Sequence, residues 1–340
     1  MAFSRRAAVA LAVPALALAA RSAIRANALR KLRSKTVLIT GGSRGLGLEI
    51  ARQCLQHGAR VAFCGRTSRQ VSEAARELQD QFGEQQVLGM QCDITQEDDV
   101  SAFVRDALRS FSQIDVLINN AGFIQVGPRE LMKREDYEEA LATHFWGPYL
   151  MVQAALPALI KSQGRVVNIA SIGGKVSVPH LLPYSTSKFA LVGFSEGLSI
   201  ELARHGVSVT TVCPGLMRTG SAVNAWFKGQ YRKEYTWFSI GSSLPLLTCT
   251  AESAARQILV AAMQRKSSLT FPLSTRLATL AHQVAPAASM CVLRAINKLL
   301  PRPGGIGVSR AKGYRSQTRW SPSMLTILGD RAAQRNNELP

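Results

Sequence analysis

The sequence predicts a doubly wound α/β fold, a parallel sheet covered by helices on both faces. Three observations predict it. Short apolar runs alternate with amphipathic stretches at regular spacing, a glycine-rich turn follows the first run, and 46% of the 340 residues are hydrophobic, enough for one large core. Length alone does not require a second catalytic domain, and no internal repeat is visible.

The runs are Thr36 to Thr40, Arg60 to Cys64, Gln86 to Cys92, Val116 to Asn119, Arg165 to Ala170 and Ser208 to Cys213. They read as nearly continuous apolar strands, the pattern of a sheet buried on both faces. The helical patterns between them supply the crossovers that parallel strands require, so the sheet is expected to be single and Rossmann-like. After Ala251 comes a final packing helix, and residues 36–265 are assigned to this one catalytic domain.

Net charge is +19, and its distribution matters more than its size. Residues 36–255 hold 20 Lys and Arg against 20 Asp and Glu; residues 1–35 hold 8 against none, and residues 256–340 hold 13 against 2. A neutral body therefore carries two basic arms. Basic arms beside apolar stretches suit anionic lipid headgroups. No zinc spacing, aromatic RNA-binding motif or helix-turn-helix pattern accompanies the charge, which argues against sequence-specific nucleic-acid binding. The six cysteines are scattered without a close pair, as expected of reduced, mostly buried thiols. No metal-ligand cluster is visible.

Residues 1–35 form an N-terminal anchor or targeting segment. Arg5 and Arg6 precede the apolar run Ala7 to Ala20, and basic residues follow from Arg21 to Lys35. The run is shorter than the roughly 17 to 25 residues of a spanning helix. It fits an uncleaved anchor at the cytoplasmic side of a membrane, the core of an export signal, or an organelle transit peptide. At the other end, residues 266–300 are expected to form an amphipathic helical extension interrupted at Pro286. Leu293, Ile296, Leu299 and Leu300 make an apolar face suited to a membrane surface, to the body, or to a second subunit. Residues 301–340, rich in Pro, Gly, Ser and Arg, are expected to stay disordered.

Gly41, Gly45 and Gly47 stand at the first strand-to-helix turn. There the missing side chains let backbone amides and a helix N-terminus approach a pyrophosphate. The second strand ends in Phe63-Cys-Gly-Arg66 with no carboxylate, although an acid at that place normally accepts hydrogen bonds from the unmodified ribose of NAD. Arg66, with Arg44 inside the glycine turn, instead suits a 2′-phosphate, so NADP(H) is the expected cofactor.

Taken together, Thr40-Gly-Gly-Ser-Arg-Gly-Leu-Gly47, Asn119-Asn-Ala-Gly122, Ser171, Tyr184-x-x-x-Lys188 and Pro214-Gly215 through Thr219 resemble the short-chain dehydrogenase/reductase family over about residues 36–265. The resemblance implies that Ser43 and Leu46 join the glycines in the cofactor site, with Asn120, Ala121 and Gly122 beneath the adenosine ribose. It also places Asp93 and Ile94 beside the adenine, and Pro214, Gly215 and Thr219 toward the nicotinamide. Homodimers or homotetramers packed through the long helices are implied too.

Chemistry agrees with the resemblance. Residues four apart share one helix face, so Tyr184 and Lys188 point together. A nearby ammonium should lower the phenol pKa, letting Tyr184 act as general acid or base, while Lys188 binds ribose hydroxyls and Ser171 orients the substrate carbonyl. One position departs from the family: where an asparagine often completes a proton relay, this chain has His144, which can itself donate, accept or carry a proton.

Between Thr219 and Ala251, where the family covers its substrate, lie Trp226, Phe227, Tyr231, Tyr235, Trp237 and Phe238. They suggest a lipophilic small-molecule carbonyl or alcohol, or else the core of a lid. Sterols, retinoids, sphingoid bases, fatty aldehydes and quinone-like compounds remain open. The alternative to an NADP(H)-dependent oxidoreductase is a non-catalytic NADP-binding sensor or scaffold at a membrane.

Overall fold

Seven parallel strands form the central sheet: β1 (Thr36–Thr40), β2 (Arg60–Gly65), β3 (Val87–Gln91), β4 (Val116–Asn119), β5 (Arg165–Ile169), β6 (Ser208–Pro214) and β7 (Ser268–Phe271). Their order across the sheet is β7-β6-β5-β4-β1-β2-β3. This computed structural model describes residues 20, 22–245, 247–324 and 326–339. The apolar run from Ala7, except for its last residue, lies outside the described residues, and so does the question of how it meets a membrane.

Side-chain alternation divides the core in two. In β1, Val37 and Ile39 join a cluster with Val61, Phe63 and helices α2 (Gly45–Gln56), α3 (Ser68–Phe82) and α9 (Ala251–Met263), while Leu38 points to the other face with Ala62 and Cys64. There the sheet meets α4 (Glu97–Phe111) and α6 (Gly147–Lys161), with α7 (Leu182–Glu201) beside them. A helix over 22–30, α1, adds Ala28 and Leu29 to the first cluster. Val37 pairs with Val61 on one side and Val116 on the other, so strand order reverses at β1. At such a reversal the loops leaving the strand ends diverge and open a cleft.

Helices α5 (Arg134–Leu141) and α6 are one continuous rod interrupted by a π-helical turn over Ala142–Trp146. The extra residue in that turn rotates the side chains before and after it relative to one another, a frequent device at functional sites.

Two expectations for the C-terminal part are corrected. The sheet does not end near residue 265: β7 pairs with β6 from Ser268↔Thr211 to Phe271↔Pro214. Only four residues long and at the sheet edge, it carries too little pattern to be seen locally. The helical extension follows as α10 (Leu273–Val284) and α11 (Pro286–Leu299), divided at Pro286, which opens α11.

Residues 301–340 are the second correction. In the structure Ala311 and Lys312 pair antiparallel with Phe227 and Trp226, which pair in turn with Val126 and Gln125. Trp226 lies beneath the Arg310 guanidinium at 4.4 Å and the Lys312 ammonium at 3.9 Å. A further helix, α12 (Ile327–Arg335), packs against Gly220, where a side chain would meet Ala333. Composition reads these residues as disordered because they lack apolar content. They are held instead by strand pairing, cation–π contacts and buried hydroxyls such as Ser321, whose Oγ lies 2.9 Å from Ser239 Oγ.

Candidate active site

The glycine turn is tied to the end of β4 before any ligand is considered. Asn120 Nδ2 donates to the carbonyls of Thr40 and Gly41, both at 3.0 Å, and Thr40 Oγ1 accepts from the amides of Asn120 and Ala121. Gly47 allows this closeness: a Cβ there would stand 2.1 Å from the Gly41 carbonyl oxygen. Gly41, at φ +65°, makes the turn itself.

A single cleft of about 570 Å³ runs from this turn across the strand ends. It brings together Gly41, Ser43, Arg44, Gly45, Leu46, Arg66, Asp93, Ile94, Asn120, Ala121, Gly122, His144, Ser171, Tyr184, Lys188, Pro214, Gly215 and Thr219. Gly47 stays beneath, as packing. Asp93 also caps its loop, accepting from the Thr95 amide and hydroxyl. Arg66 is exposed at the rim, and Arg44 is one-third exposed beside it. Glycine at the tight approach, amides at the start of α2 and two arginines fit a phosphorylated dinucleotide.

Deeper in the cleft, Ser171 stands just past the end of β5, capping the turn Ile172–Gly174, and Tyr184 and Lys188 stand one turn apart on α7. The Ser171 hydroxyl accepts from the Gly173 amide at 3.1 Å and is near enough to the Tyr184 phenol to pull its pKa down. It is therefore both a strand-end cap and a neighbour of the phenol. Lys188 Nζ donates to the Ile169 carbonyl at 2.9 Å and lies 5.8 Å from the Tyr184 ring centroid.

Burial decides the charges here. It lowers the Lys188 pKa to about 7 and raises the Tyr184 phenol above its ordinary value, which the nearby Ser171 only partly offsets. The expectation that Lys188 pulls the phenol down is therefore not met in this structure. The same dry surroundings that would strengthen an ammonium's field also discourage the ammonium itself.

His144 sits in the π-helical turn, buried. The Phe123 amide donates to its Nε2 at 3.1 Å, so a neutral ring carries its proton on Nδ1 and donates it to Ser187 Oγ at 2.8 Å. Ser187 in turn donates to the Tyr184 carbonyl. Burial and the nearby Lys188 hold the imidazole well below its ordinary pKa of 6.5. Both ring nitrogens are engaged, so His144 braces α7 against the loop after β4 and has no atom left to shuttle a proton.

The far half of the cleft is apolar, with Ile124, Ile172, Val178, Leu181, Trp237 and Phe238 in its wall. The aromatic segment divides. Trp237 and Phe238, in α8 (Tyr231–Gly241), face the cleft, whereas Phe227 and Tyr235 are fully buried edge to face at 5.4 Å and form lid core, and Trp226 carries the C-terminal chain.

Among the lining residues that sequence reasoning missed are Asn224, Thr275, Lys312 and Glu338. None belongs to a local motif. They reach the cleft through the lid, α10 and the returning C-terminal chain.

Comparison with known proteins follows the same outline. Residues 35–228 match the family model described as short chain dehydrogenase. Ketoacyl reductase 1, assigned to the granaticin polyketide synthase of Streptomyces violaceoruber, is 36% identical over 216 residues, 62% of this chain and 79% of that protein. Dehydrogenase/reductase SDR family member 7B of Bos taurus is 34% identical over 57% of this chain and 61% of its own. A short-chain dehydrogenase from Streptomyces avermitilis superposes with a TM-score of 0.67 at 28% identity, covering 78% of this chain and 98% of the other.

Proposed function

The chain belongs to the short-chain dehydrogenase family of oxidoreductases, and on that premise we propose that it interconverts a carbonyl and an alcohol on a lipophilic small molecule, using NADP(H). The observation that carries this reading is the meeting, in one cleft, of Ser171, Tyr184 and Lys188 with an apolar half-chamber on one side and an arginine-flanked glycine turn on the other.

A bound nicotinamide would supply or accept the hydride. The chain's own groups do the rest. In reduction, the Ser171 hydroxyl donates to the substrate carbonyl oxygen and fixes its orientation. The Tyr184 phenol gives its proton to the same oxygen as negative charge develops there. Its raised pKa keeps that proton on the phenol at neutral pH. Lys188, near half protonation at neutral pH, can return a proton to the phenolate, and its remaining donors suit ribose hydroxyls. Arg44 and Arg66 would hold the 2′-phosphate, and His144 keeps α7 in register. The resemblance to a ketoacyl reductase supports the carbonyl half of the reading.

A lipophilic substrate is met most often at a bilayer. Here α10 exposes Leu273, Leu277, Leu280 and Val284 and α11 exposes Val292, Ile296 and Leu299, each set at helical spacing. Arg276, Arg294 and Lys298 accompany them, and no acid occurs between Glu252 and Asp330. We assign this hairpin to an anionic membrane surface. Among the described residues no helix is long and apolar enough to cross a membrane.

The test is NADPH oxidation against a panel of lipophilic ketones, aldehydes and quinones, with Tyr184→Phe beside the wild type. Turnover should fall at least ~100-fold while NADPH affinity is kept. Tight NADPH binding with no turnover on any substrate would favour a sensor instead.

A further inference from the structure

The three residues after α12 enter the phosphate cradle. The Gly45 amide, at the start of α2, donates to the Asn336 carbonyl at 2.7 Å, and Asn337 Nδ2 donates to the Ser43 carbonyl at 3.2 Å. Asn336 Nδ2 reaches the Thr219 carbonyl at 3.2 Å. Glu338 is buried, with Asn224 Nδ2 donating to both its carbonyl and its Oε2 at 2.6 Å, and Arg44 Nε lies 3.6 Å from the same Oε2. Its other oxygen rests against Gly45, 2.5 Å from where a Cβ would be. A carboxylate thus lies on the glycine of the helix N-terminus, faced by a cation. That is the arrangement a phosphate would take.

Lys312, from the same C-terminal chain, also lines this part of the cleft. Burial raises the Glu338 pKa, while Arg44, the Asn224 hydrogen bond and Lys312 pull it back down; the Lys312 pKa is itself lowered to about 8 by burial and by the charges of Arg44, Arg66 and Arg310, with Glu139 opposing them. Arg44, Arg66 and Lys312 therefore gather around this part of the cleft, with Arg310 adding to their charge and Glu139 and Glu338 opposing it. A dinucleotide phosphate beside Glu338 would be repelled by it and attracted by all three cations.

We infer that residues 336–338 are a latch on the dinucleotide site: Glu338 acts as an internal anion in the phosphate cradle, and an entering phosphate displaces it and takes over Arg44 and Lys312. The inference rests on the proposed binding of a dinucleotide in this cradle. The latch makes apparent affinity lower than intrinsic affinity by the fraction of molecules in which the tail is released. It also couples occupancy of the cradle to order in the C-terminal chain, because Gly45 cannot give its amide to both.

The experiment uses the full chain, titrated with NADPH and NADH by fluorescence, as wild type and as Glu338→Gln, which keeps the side-chain volume and an oxygen for Asn224. The variant should bind both dinucleotides more tightly, by roughly fivefold or more. In parallel, amide exchange over residues 327–339 should quicken in wild type when NADPH or inorganic pyrophosphate is added. Unchanged or weaker binding by Glu338→Gln, or exchange that slows on ligand addition, overturns the latch. Its failure is separable from failure of the cofactor reading. NADPH preference with no effect of Glu338→Gln removes only the latch, tighter binding of NADPH and NADH alike with no preference between them removes only the NADP assignment, and binding of neither dinucleotide by either protein removes both.

Discussion

The part of the cleft that carries Ser171, Tyr184 and Lys188 and the part that carries Lys312 and Glu338 lie in one cavity, yet they are held by different means. The first is built on strand ends and one long helix, where ladder bonds and fully buried apolar residues fix each position. The second is a returning chain held by a two-residue strand, cations over Trp226 and polar bonds to the glycine turn. Charge-based and polar contacts of this kind contribute little net stability each. The proposed reaction centre thus sits on ladder-bonded, fully buried elements, while the glycine turn beside it is closed by a chain held through polar contacts.

The sharpest way to break that contrast is to strain the rigid part at its closest approach. Gly47→Ala places a methyl 2.1 Å from the Gly41 carbonyl oxygen and 2.6 Å from Asn120 Nδ2, so α2 must shift away from β1. We expect a loss of about 3 kcal/mol in denaturant unfolding and of dinucleotide binding as well. Gly193→Ala, in the exposed face of α7 where a Cβ meets nothing within 4 Å, is the matched control and should be neutral or stabilising by up to ~1 kcal/mol. Wild-type stability and binding in Gly47→Ala would show that the turn is not rigid at all.

A smaller effect is expected at His144, where the rigid part depends on one buried polar group. His144→Ala leaves the Phe123 amide unpaired, takes from Ser187 the ring nitrogen it accepts from, and opens a cavity, for a loss of about 2 to 4 kcal/mol. The imidazole also gives a signature in pH. Its folded pKa lies well below the unfolded value near 6.5, so the unfolded chain binds the proton first and folding stability falls as pH drops below 6.5. The slope from this residue approaches about 1.4 kcal/mol per pH unit and is absent in His144→Asn. Equal acid slopes in the two proteins would mean that the ring is protonated, and hence able to relay.

How far this contrast was legible in the sequence follows from the same physics. Six of the seven strands, the glycine turn, Ser171 and the Tyr184–Lys188 pair are written in local pattern, because buried parallel strands are apolar runs and a helix turn is four residues. Edge strand β7 is not, being four residues with half-exposed positions. His144 was visible as a departure, but its role was not, since that depends on Phe123 and Ser187, 21 and 43 residues away. Glu338 and Lys312 were invisible for a stronger reason. Their partners lie in the glycine turn and the lid, and a polar tail that folds through long-range polar contacts has the composition of one that does not fold.

The hairpin of α10 and α11 belongs to neither part, and it gives the smallest effect on the fold and a selective one on location. Leu277 and Val292 are 57% and 59% exposed, so Leu277→Glu with Val292→Glu should change unfolding free energy by less than ~0.5 kcal/mol per site. Each side chain buried in a headgroup layer contributes ~1.5 to 3 kcal/mol, and a carboxylate among anionic lipids opposes it. Flotation with vesicles containing anionic lipid should therefore fall about tenfold or more per substitution, and raised salt should weaken the wild type alone. Soluble turnover should persist, since neither residue lines the cleft. If the double variant floats as the wild type does, the basic C-terminal chain binds lipid without this face. If the wild type does not float but sediments as a larger species that the variant abolishes, the apolar stripes pair two copies of the chain, and the cleft mouth beside Thr275 then opens toward a second subunit.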